Sequence, residues 1–185
     1  MTPIQQMLLG AGGASEAEPW AHVIGNANDN DYPGQIVLDS SRNIIFTIVR
    51  TGELRLMKLS NDGTILWGRK LNMGVSYSTG LDKSDVVVDS SNNIYVAVTT
   101  DSNYSPVASS IQNEGNILVL KYNSSGVIQW QREIGTSYSS GPNGNLGGIA
   151  VDSSDNVYVT GTQIGYSQSS TAFQKYILVK FNSSG

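Results

Sequence analysis

The sequence contains no cysteine and only one histidine, His22, among its 185 residues. Without thiols the chain cannot build a disulfide framework, a thiolate metal site or a cysteine nucleophile. A single histidine gives no support for a multi-histidine zinc or iron centre. We therefore expect neither a metal site nor a cofactor.

Charged residues are also scarce, at 14% of the chain against about 25% in an average globular domain. The 11 Lys and Arg are outnumbered by 15 Asp and Glu, which gives a net charge of −4. Nucleic-acid binding needs a basic patch or stripe, and no basic run is present. Nucleic acid is therefore not an expected partner.

Long apolar runs and enzyme motifs are missing as well. No run is long enough to span a membrane, and the first 20 residues contain no Lys or Arg and no apolar region of a secretory signal. There is no GxSxG, P-loop, dinucleotide fingerprint or HExxH. The chain is not predicted to be an enzyme, although the paired carboxylates of a glycoside hydrolase stay formally open.

Three short blocks recur along the chain, so internal repeats dominate its organisation. The first is Asp-Ser-Ser-x-Asn before an apolar run, the second is a lysine-containing run ending in Asn-Ser-Ser-Gly or Asn-Asp-Gly, and the third opens with tryptophan. The marker residues are Asp39, Asp89 and Asp152, Lys58, Lys121 and Lys180, and Trp20, Trp67 and Trp130. The period is about 47 to 63 residues, and the insertions fall in particular places.

Each repeat is predicted to form four short β-strands, here called positions A to D, because β-branched and aromatic runs are bounded by Asn, Gly, Ser and Asp. Position A covers 36–38, 86–88 and 149–151; B covers 44–49, 94–99 and 157–160; C covers 54–59, 117–122 and 176–181; D covers 64–71, 127–134 and 20–24. No window beyond residue 15 has a helical period. The repeats are therefore expected to be all-β.

The repeated turns have local causes. In Asp-Ser-Ser-x-Asn the aspartate side chain can accept a hydrogen bond from the backbone amide two residues later, and the asparagine tolerates positive φ. In the glycine-containing turns the glycine supplies the left-handed position. Calcium is rejected at the three aspartates because acidic ligands do not alternate there. The Asn-x-Ser sequences at Asn103, Asn123 and Asn182 are interpreted as turn chemistry rather than as glycosylation sites.

Tryptophan, lysine and histidine recur or stand out inside the repeats. The tryptophans are predicted to cover a sheet edge and to pack between neighbouring units. The lysines are predicted to lie on a solvated strand face or edge, where lysine discourages unwanted pairing. His22, beside Trp20, is interpreted as a packing or surface residue rather than a catalytic one.

The segments VDSSDNVYVTG (151–161) and ILVLKYNSSGVIQWQREIG (117–135) resemble the bacterial beta-propeller repeat family, over about residues 20–185. The resemblance implies one four-stranded antiparallel blade per repeat and about three blades here. Propeller rings usually have about 4–8 blades. Either the chain is the N-terminal part of a longer array, which we favour, or several chains share one ring. Open strand edges invite a partner chain, so a homo-oligomer is expected.

Residues 1–19 share nothing with the repeats and are predicted to be a docking peptide and hinge. The opening Thr-Pro pair suits a helix start, and the glycine at position 10 suits its end. Ile4, Met7 and Leu8 form one apolar stripe on this short helix, which needs a surface on which to bury it. A frayed terminus is the alternative; docking is favoured because the helix start, the stripe and the stop agree.

The short TPIQQMLLG leader followed by glycine-rich sequence and repeats resembles structural proteins of tailed bacteriophages, especially marine ones. The resemblance implies a tail-fibre or appendage subunit in the virion, docked on other virion proteins through residues 1–10 and facing the host. No catalytic residue comes with it. Two alternatives stay open: a capsid-bound fibre or decoration protein, and a non-viral carbohydrate-binding adhesin module that is extracellular or on the cell surface.

The predicted connections B–C and D–A share one end of a meander and contain nearly all the length variation. Long loops on a rigid scaffold often bind ligands. The candidate ligand-binding residues are Tyr77, Tyr104, Tyr138, Tyr166 and Asn103, since aromatic faces and small polar groups suit a host glycan or protein. The alternative is that these loops are solvated or lie between subunits, with their tyrosines packed against the sheets.

Overall fold

The computed structural model describes residues 20–24, 31–50, 52–73, 83–100, 116–134, 144–166 and 172–185. These residues form eleven β-strands and no helix; accordingly, this part of the chain offers no helix that could cross a membrane. The strands are β1 (Asp31–Leu38), β2 (Ile44–Arg50), β3 (Glu53–Leu59), β4 (Ile65–Asn72), β5 (Ser84–Val88), β6 (Ile94–Thr100), β7 (Asn116–Tyr122), β8 (Ile128–Ile134), β9 (Gly144–Val151), β10 (Val157–Tyr166) and β11 (Ala172–Phe181). The predicted N-terminal helix, with Ile4, Met7 and Leu8, lies outside the described residues.

The strands pair into three antiparallel sheets in which neighbours in space are neighbours in sequence. Sheet 1 is β1-β2-β3-β4, sheet 2 is β5-β6-β7-β8 and sheet 3 is β9-β10-β11. The all-β prediction is confirmed, with positions A to C present in all three sheets and position D in the first two.

Several strands are longer than the sequence predicted. In sheet 3 the pairing of β10 with β11 continues until Tyr166 faces Ala172, so only residues 167–171 separate the two strands. The sequence predicts strands here only at 157–160 and 176–181, with a long connection between them. Pairing extends into this polar stretch because the adjacent strand satisfies the backbone N–H and C=O groups, whichever side chains they carry.

Residues 20–24 do not form a strand, which corrects the prediction of a third strand at position D. A strand requires ladder hydrogen bonds with a neighbour, and no described sheet includes this segment. Its side chains instead contact the turn between β3 and β4 of sheet 1.

The turns between positions A and B are organised by aspartate, as predicted. The Asp39 carboxylate accepts the backbone amides of Ser41 and Asn43, both at 2.9 Å, and the side-chain amide of Asn43 at 2.9 Å. Asp89 and Asp152 make equivalent bonds. The positive φ was assigned to the wrong residue, because it falls one position before the asparagine, at 62° for Arg42, 62° for Asn92 and 60° for Asp155. The asparagine is used as a donor to the aspartate instead.

The turns between positions C and D also follow the prediction. Their glycines have positive φ, 86° at Gly63, 75° at Gly126 and 88° at Gly185. Asn123 Oδ1 accepts the amides two and four residues on, at 3.1 and 2.9 Å, and Asn182 accepts the amide two residues on at 2.9 Å. These two asparagines therefore serve the turns, as predicted, while Asn103 lies outside the described residues.

Sheet 2 lies between the other two sheets and is buried on both faces. On β6, Ile94, Val96 and Val98 belong to the core shared with sheet 1, whereas Tyr95 and Ala97 belong to the core shared with sheet 3. All five are 0% exposed. Successive side chains of a strand point to opposite faces, so a strand between two sheets becomes an uninterrupted apolar run.

Candidate functional site

The connections of variable length leave the sheets at one end. Each sheet is an antiparallel meander, so the aspartate and glycine turns lie at one end and the remaining connections at the other. This second end is here called the loop end. The strands are connected there by residues 74–82, 101–115, 135–143 and 167–171, which lie outside the described residues.

Most of the candidate ligand-binding residues belong to those connections. Tyr77, Tyr104, Tyr138 and Asn103 lie outside the described residues, and Tyr166 is the last residue of β10. Tyr32, which falls in the predicted D–A connection between 20–24 and 36–38, lies in β1 and packs against the core between sheets 1 and 2. For Tyr32 the alternative interpretation, packing against a sheet, is therefore the correct one.

Charged side chains at the loop end of sheet 1 form ion pairs. Arg50 Nε donates to Asp31 Oδ1 at 2.7 Å, and this hydrogen bond lowers the pKa of Asp31. Burial would raise the pKa of Glu53, but hydrogen bonds from Lys70 and Arg55 outweigh burial and lower it. A general acid needs a raised pKa. These two carboxylates are held in the charged form and are poorly suited to that role.

Two of the turn aspartates, Asp39 and Asp152, are also held in the charged form. Burial works against the Asp39 carboxylate, but hydrogen bonds from Lys58, whose Nζ lies 2.8 Å away, and from Asn43 lower its pKa. The side-chain and backbone hydrogen bonds of Asn156 lower the pKa of Asp152 to about 2. Since their oxygens accept N–H groups, these aspartates serve the turns; no cluster of three His, Asp or Glu suited to a metal occurs in the described ranges.

Two of the repeated lysines are buried, which corrects their predicted solvated position. Lys58 is 6% and Lys121 8% exposed. Lys58 Nζ donates to the carbonyl oxygen of Ser124 at 3.2 Å, and Lys121 Nζ to that of Ser183 at 2.8 Å. Both carbonyl groups belong to the C–D turn of the next sheet, and such acceptors make a buried ammonium tolerable. Lys180 is exposed, as predicted.

Residues 20–24 are held against sheet 1 by two side chains. Trp20 Nε1 donates to the carbonyl oxygen of Asn61 at 3.2 Å, and His22 Nε2 donates to that of Gly63 at 2.7 Å. A Cβ atom on Gly63 would lie 2.6 Å from Trp20 Cδ2. The glycine is therefore required both by its positive φ and by the close approach of the indole.

A similar contact occurs where sheet 1 meets sheet 2 and where sheet 2 meets sheet 3. It is here called the junction contact. Arg69 Nε donates to the Gly126 carbonyl oxygen at 2.6 Å, and Arg132 Nη2 donates to that of Gly185 at 3.1 Å. Trp130 Nε1 donates to the same final turn at 3.2 Å. Each junction contact joins position D of one sheet to the C–D turn of the next.

Each tryptophan ring also contacts the side chain two residues later, which completes the junction contact. The guanidinium of Arg69 lies 5.1 Å from the Trp67 ring centroid, and that of Arg132 lies 5.6 Å from the Trp130 ring. The predicted packing of tryptophan between units is confirmed, because Trp67 and Trp130 pack against the two intersheet cores. His22 takes the place of the arginine, with its ring centroid 5.2 Å from that of Trp20.

The partners two residues after each tryptophan were missed by sequence reasoning. They are His22, Arg69 and Arg132, and the signal for them was present, since each of the three follows a tryptophan after one intervening residue. The spacing places the pair on one face of an extended chain, where they can reach the same turn.

A groove of about 450 Å³ lies between residues 20–24 and the outer face of sheet 1. Its lining is apolar, with Trp20, Ile36 and Phe46 among the contributors, except for His22 and Asp31. Both polar side chains already hydrogen-bond to the protein. Small-molecule sites rely on a few polar groups that orient the ligand, and both polar groups of this groove are engaged within the protein.

No protein-family model matches the chain, and no curated protein matches it. Among solved structures it is similar to a lignostilbene dioxygenase from Pseudomonas brassicacearum, with 14% sequence identity and a TM-score of 0.45. The match covers 81% of this chain and 35% of the dioxygenase, so the chain spans about a third of the length of that protein. No activity or ligand is transferred from it.

Proposed function

We propose that the three sheets are blades of a propeller-like repeat array and that the chain is a structural protein of a bacteriophage virion, a tail-fibre or appendage subunit. In this proposal residues 1–19 anchor the chain to other virion proteins through Ile4, Met7 and Leu8. Residues 20–185 present the loop end for attachment to the host surface.

The repeated junctions support the propeller-like part of the proposal. At both junctions an arginine of position D donates to the C–D turn of the following sheet, at 2.6 Å from Arg69 and 3.1 Å from Arg132. The inner strands are linked as well, since Thr47 and Ser84 share a hydrogen bond of 2.8 Å and Asp85 accepts the Ile149 amide at 3.3 Å. One junction applied repeatedly generates an array with a constant turn per sheet.

The observation that carries the attachment role is the separation of the two ends. At one end the strands are joined by tight turns fixed by aspartate, asparagine and glycine. At the other end they are joined by connections of very different length. A rigid scaffold that varies only at one end is typical of recognition proteins. The tyrosines, serines and asparagines in those connections suit contact with glycans or protein.

Two alternatives use the same surfaces. A capsid-bound fibre or decoration protein would use the same N-terminal anchor, and a non-viral carbohydrate-binding adhesin would use the same loop end. The difference lies in what residues 1–19 contact, so the anchor decides between them.

The experiment replaces Ile4, Met7 and Leu8 together by serine in phage particles that carry the chain. The proposal expects loss of the chain from purified particles, measured by quantitative mass spectrometry. Replacing Gln5 and Gln6 by serine is the matched control, because these residues lie off the apolar stripe, and incorporation should persist. Unchanged incorporation of the triple variant would overturn the proposed anchor.

Immunogold labelling of particles then separates tail from capsid attachment. Label on the tail supports the tail-fibre or appendage assignment, label on the head supports the decoration protein, and label found only on bacterial surfaces overturns both viral assignments.

A further inference from the structure

His22 makes a contact that arginine makes at the other two positions of the repeat. Its Nε2 atom donates to the carbonyl oxygen of Gly63, the glycine of a C–D turn, at 2.7 Å. Arg69 and Arg132 donate to the carbonyl oxygens of the corresponding turn glycines at 2.6 and 3.1 Å. The three side chains are therefore equivalent in their contact as well as in their spacing from tryptophan.

Each of these side chains also lies beside the ring of the tryptophan two residues earlier. The guanidinium groups of the two arginines lie 5.1 and 5.6 Å from the ring centroids of their tryptophans. The ring centroid of His22 lies 5.2 Å from that of Trp20, with the two ring planes 59° apart. A cation close to an indole ring is attracted by its π electrons. The arginines always gain this attraction, whereas His22 gains it only when its ring is protonated.

Charge is the property that distinguishes histidine from arginine at this position. Arginine stays protonated at every pH that folded proteins ordinarily meet. Histidine is the side chain whose charge ordinarily changes between about pH 5 and pH 8. A hydrogen bond from a charged donor is roughly twice as strong as one from a neutral donor. Protonation therefore strengthens both contacts of His22, the one to the Gly63 carbonyl oxygen and the one to the Trp20 ring.

One charged group belongs to the turn that His22 contacts. Asp62 lies in this turn, and hydrogen bonds from the Ser60 hydroxyl and the Thr64 amide lower the pKa of its carboxyl group. Asp62 is therefore still a carboxylate when a histidine takes up its proton. A carboxylate favours a cation nearby, although salt screens charges at an exposed turn. The turn thus favours the protonated form of His22.

The groove side of His22 presents a paired charge. Asp31 is the other ionisable side chain among the described residues that line the groove. Arg50 Nε donates to its carboxylate at 2.7 Å, so the charge of Asp31 is compensated. Residues 20–24 themselves contain no second ionisable side chain. The preference of His22 for one protonation state is therefore set mainly by the turn and by the Trp20 ring.

Residues 20–24 are attached to sheet 1 through side chains. No described sheet includes this segment, so its described attachment does not come from a strand ladder. Trp20 Nε1 donates to the carbonyl oxygen of Asn61 at 3.2 Å, and this bond ends on the same turn as the bond from His22. A change in the strength of the histidine contact therefore changes how firmly the segment is held.

The same segment forms one wall of the groove of about 450 Å³ on sheet 1. Trp20, His22 and Ile24 line the groove from this side, and Phe46 is among the apolar residues that line it from the sheet. Ile24 is half-buried, whereas its neighbour Val23 is 81% exposed. Movement of the segment away from the turn would open the groove and expose Ile24.

We propose that His22 is a pH-sensitive clamp on this groove. In its protonated form His22 holds residues 20–24 against the turn at Gly63, as the arginines hold the turns at the two sheet junctions. In its neutral form it holds the segment less firmly, and the wall of the groove opens more often. The clamp goes beyond the proposed function and depends neither on a role in the virion nor on the loop end.

The direction of the pH dependence follows from proton linkage. The closed segment binds the proton of His22 more tightly than the open segment, so low pH favours closure. The added stability of the closed form is complete below about pH 5 and is lost by about pH 8. Because His22 is exposed, screening keeps the effect modest. We expect the ratio of closed to open segments to fall about 3- to 5-fold over this range.

Engineered cysteines measure the opening, because the chain has no cysteine of its own. In the whole chain, Ile24→Cys places a thiol in the wall of the groove, and Val23→Cys places one at the exposed neighbouring site. A maleimide labels each thiol, and the rate for Val23→Cys records how the thiol chemistry itself depends on pH. The rate for Ile24→Cys divided by the rate for Val23→Cys should rise about 3- to 5-fold between about pH 5.5 and pH 8.

Two substitutions of His22 fix the charge of the clamp. His22→Arg keeps a donor and a permanent charge, so the rate ratio should stay low at both pH values. His22→Gln keeps a donor without a charge, so the ratio should be as high at pH 5.5 as it is at pH 8 with histidine present. Since His22 is exposed, both variants should fold, and circular dichroism verifies that they do.

The titration of His22 can be followed directly by NMR, because it is the single histidine of the chain and its ring protons need no assignment. Its midpoint should coincide with the midpoint of the change in the rate ratio. A rate ratio that is independent of pH, or that falls as pH rises, overturns the proposal. So does a pH dependence that persists in His22→Arg, or one whose midpoint differs from that of the histidine.

Discussion

The Nζ atom of Lys58 lies 2.8 Å from Asp39 Oδ2, and both side chains are buried. In sheet 2 the equivalent aspartate, Asp89, accepts a hydrogen bond from the Tyr95 hydroxyl at 3.1 Å. Sheet 1 has Ile45 at the tyrosine position, which supplies no hydroxyl. The lysine thus replaces the missing donor, and one carboxylate position is satisfied in two chemically different ways.

Lys58→Met should lower the free energy of unfolding by about 3 kcal/mol, because removing one partner leaves a buried carboxylate without its counter-ion. Urea denaturation of the whole chain measures the change. Lys121→Met is the matched control: that lysine donates to Ser183 and lies over the Tyr95 ring, and the loss should be nearer 1 kcal/mol, as for about one hydrogen bond. Adding Asp39→Asn to Lys58→Met should recover part of the loss. Equal losses for the two lysine variants would refute the contribution of the ion pair.

Acid should destabilise the protein by protonating two turn aspartates, Asp39 and Asp152. The pKa of Asp152 is lowered to about 2 and that of Asp39 is also lowered, whereas an unfolded aspartate has a pKa of about 3.9. A lowered folded-state pKa stabilises the protein above the unfolded value, and this stabilisation is lost as pH falls toward the folded value. We expect the Tm to fall between about pH 4 and pH 2.

Two variants assign this acid transition. Asp152→Asn should flatten the dependence of Tm on pH in that window, because no carboxylate remains to be protonated at that site. Asn156→Ala removes the side-chain donor that contributes most to the low pKa of Asp152. The folded-state pKa of Asp152 then rises toward the unfolded value, so the fall in Tm due to this site should be smaller and should end at a higher pH. An unchanged pH profile in both variants contradicts the assignment.

Gly126→Ala should destabilise the protein by about 1–3 kcal/mol, since the residue has a φ of 75° and alanine is strained there. The added Cβ would also lie 3.0 Å from Arg69 Nε and disturb the junction contact. Thermal unfolding measures the loss. Gly148→Ala is the control, because its nearest neighbour would be Asp85 Oδ2 at an ordinary 3.5 Å. A loss as large at Gly148 as at Gly126 would mean that the turn glycine has no special role.

The local parts of this fold could be predicted from the sequence, because their causes lie within a few residues. The aspartate turns around Asp39 and the glycine turn at Gly63 follow from side-chain reach and backbone freedom, and they fixed the positions of most strands. The burial of Lys58 and Lys121 could not be predicted in this way, because their acceptors lie about 60 residues further along the chain, in the next sheet.

The segment 20–24 also shows that structure depending on distant parts of the chain cannot be predicted from local sequence. Its composition and its tryptophan match position D, and it does occupy that place on the turn at Gly63. Strand structure, however, depends on a neighbouring strand, and no described strand pairs with it. Likewise, composition could identify the loop tyrosines as candidates, while their spatial relation depends on connections outside the described residues.

The final prediction tests the proposed host-binding role of the loop end through its tyrosines. Tyr77→Ala, Tyr104→Ala, Tyr138→Ala and Tyr166→Ala should each weaken binding of the chain to host cells or arrayed glycans by up to about 10-fold, since each removes an aromatic contact face. Asn103→Ala should weaken it less, through one lost hydrogen bond. Val127→Ala, at an exposed site on the opposite, tight-turn end, is the control and should bind normally. If binding survives all four tyrosine variants, or falls equally with Val127→Ala, recognition does not occur at the loop end.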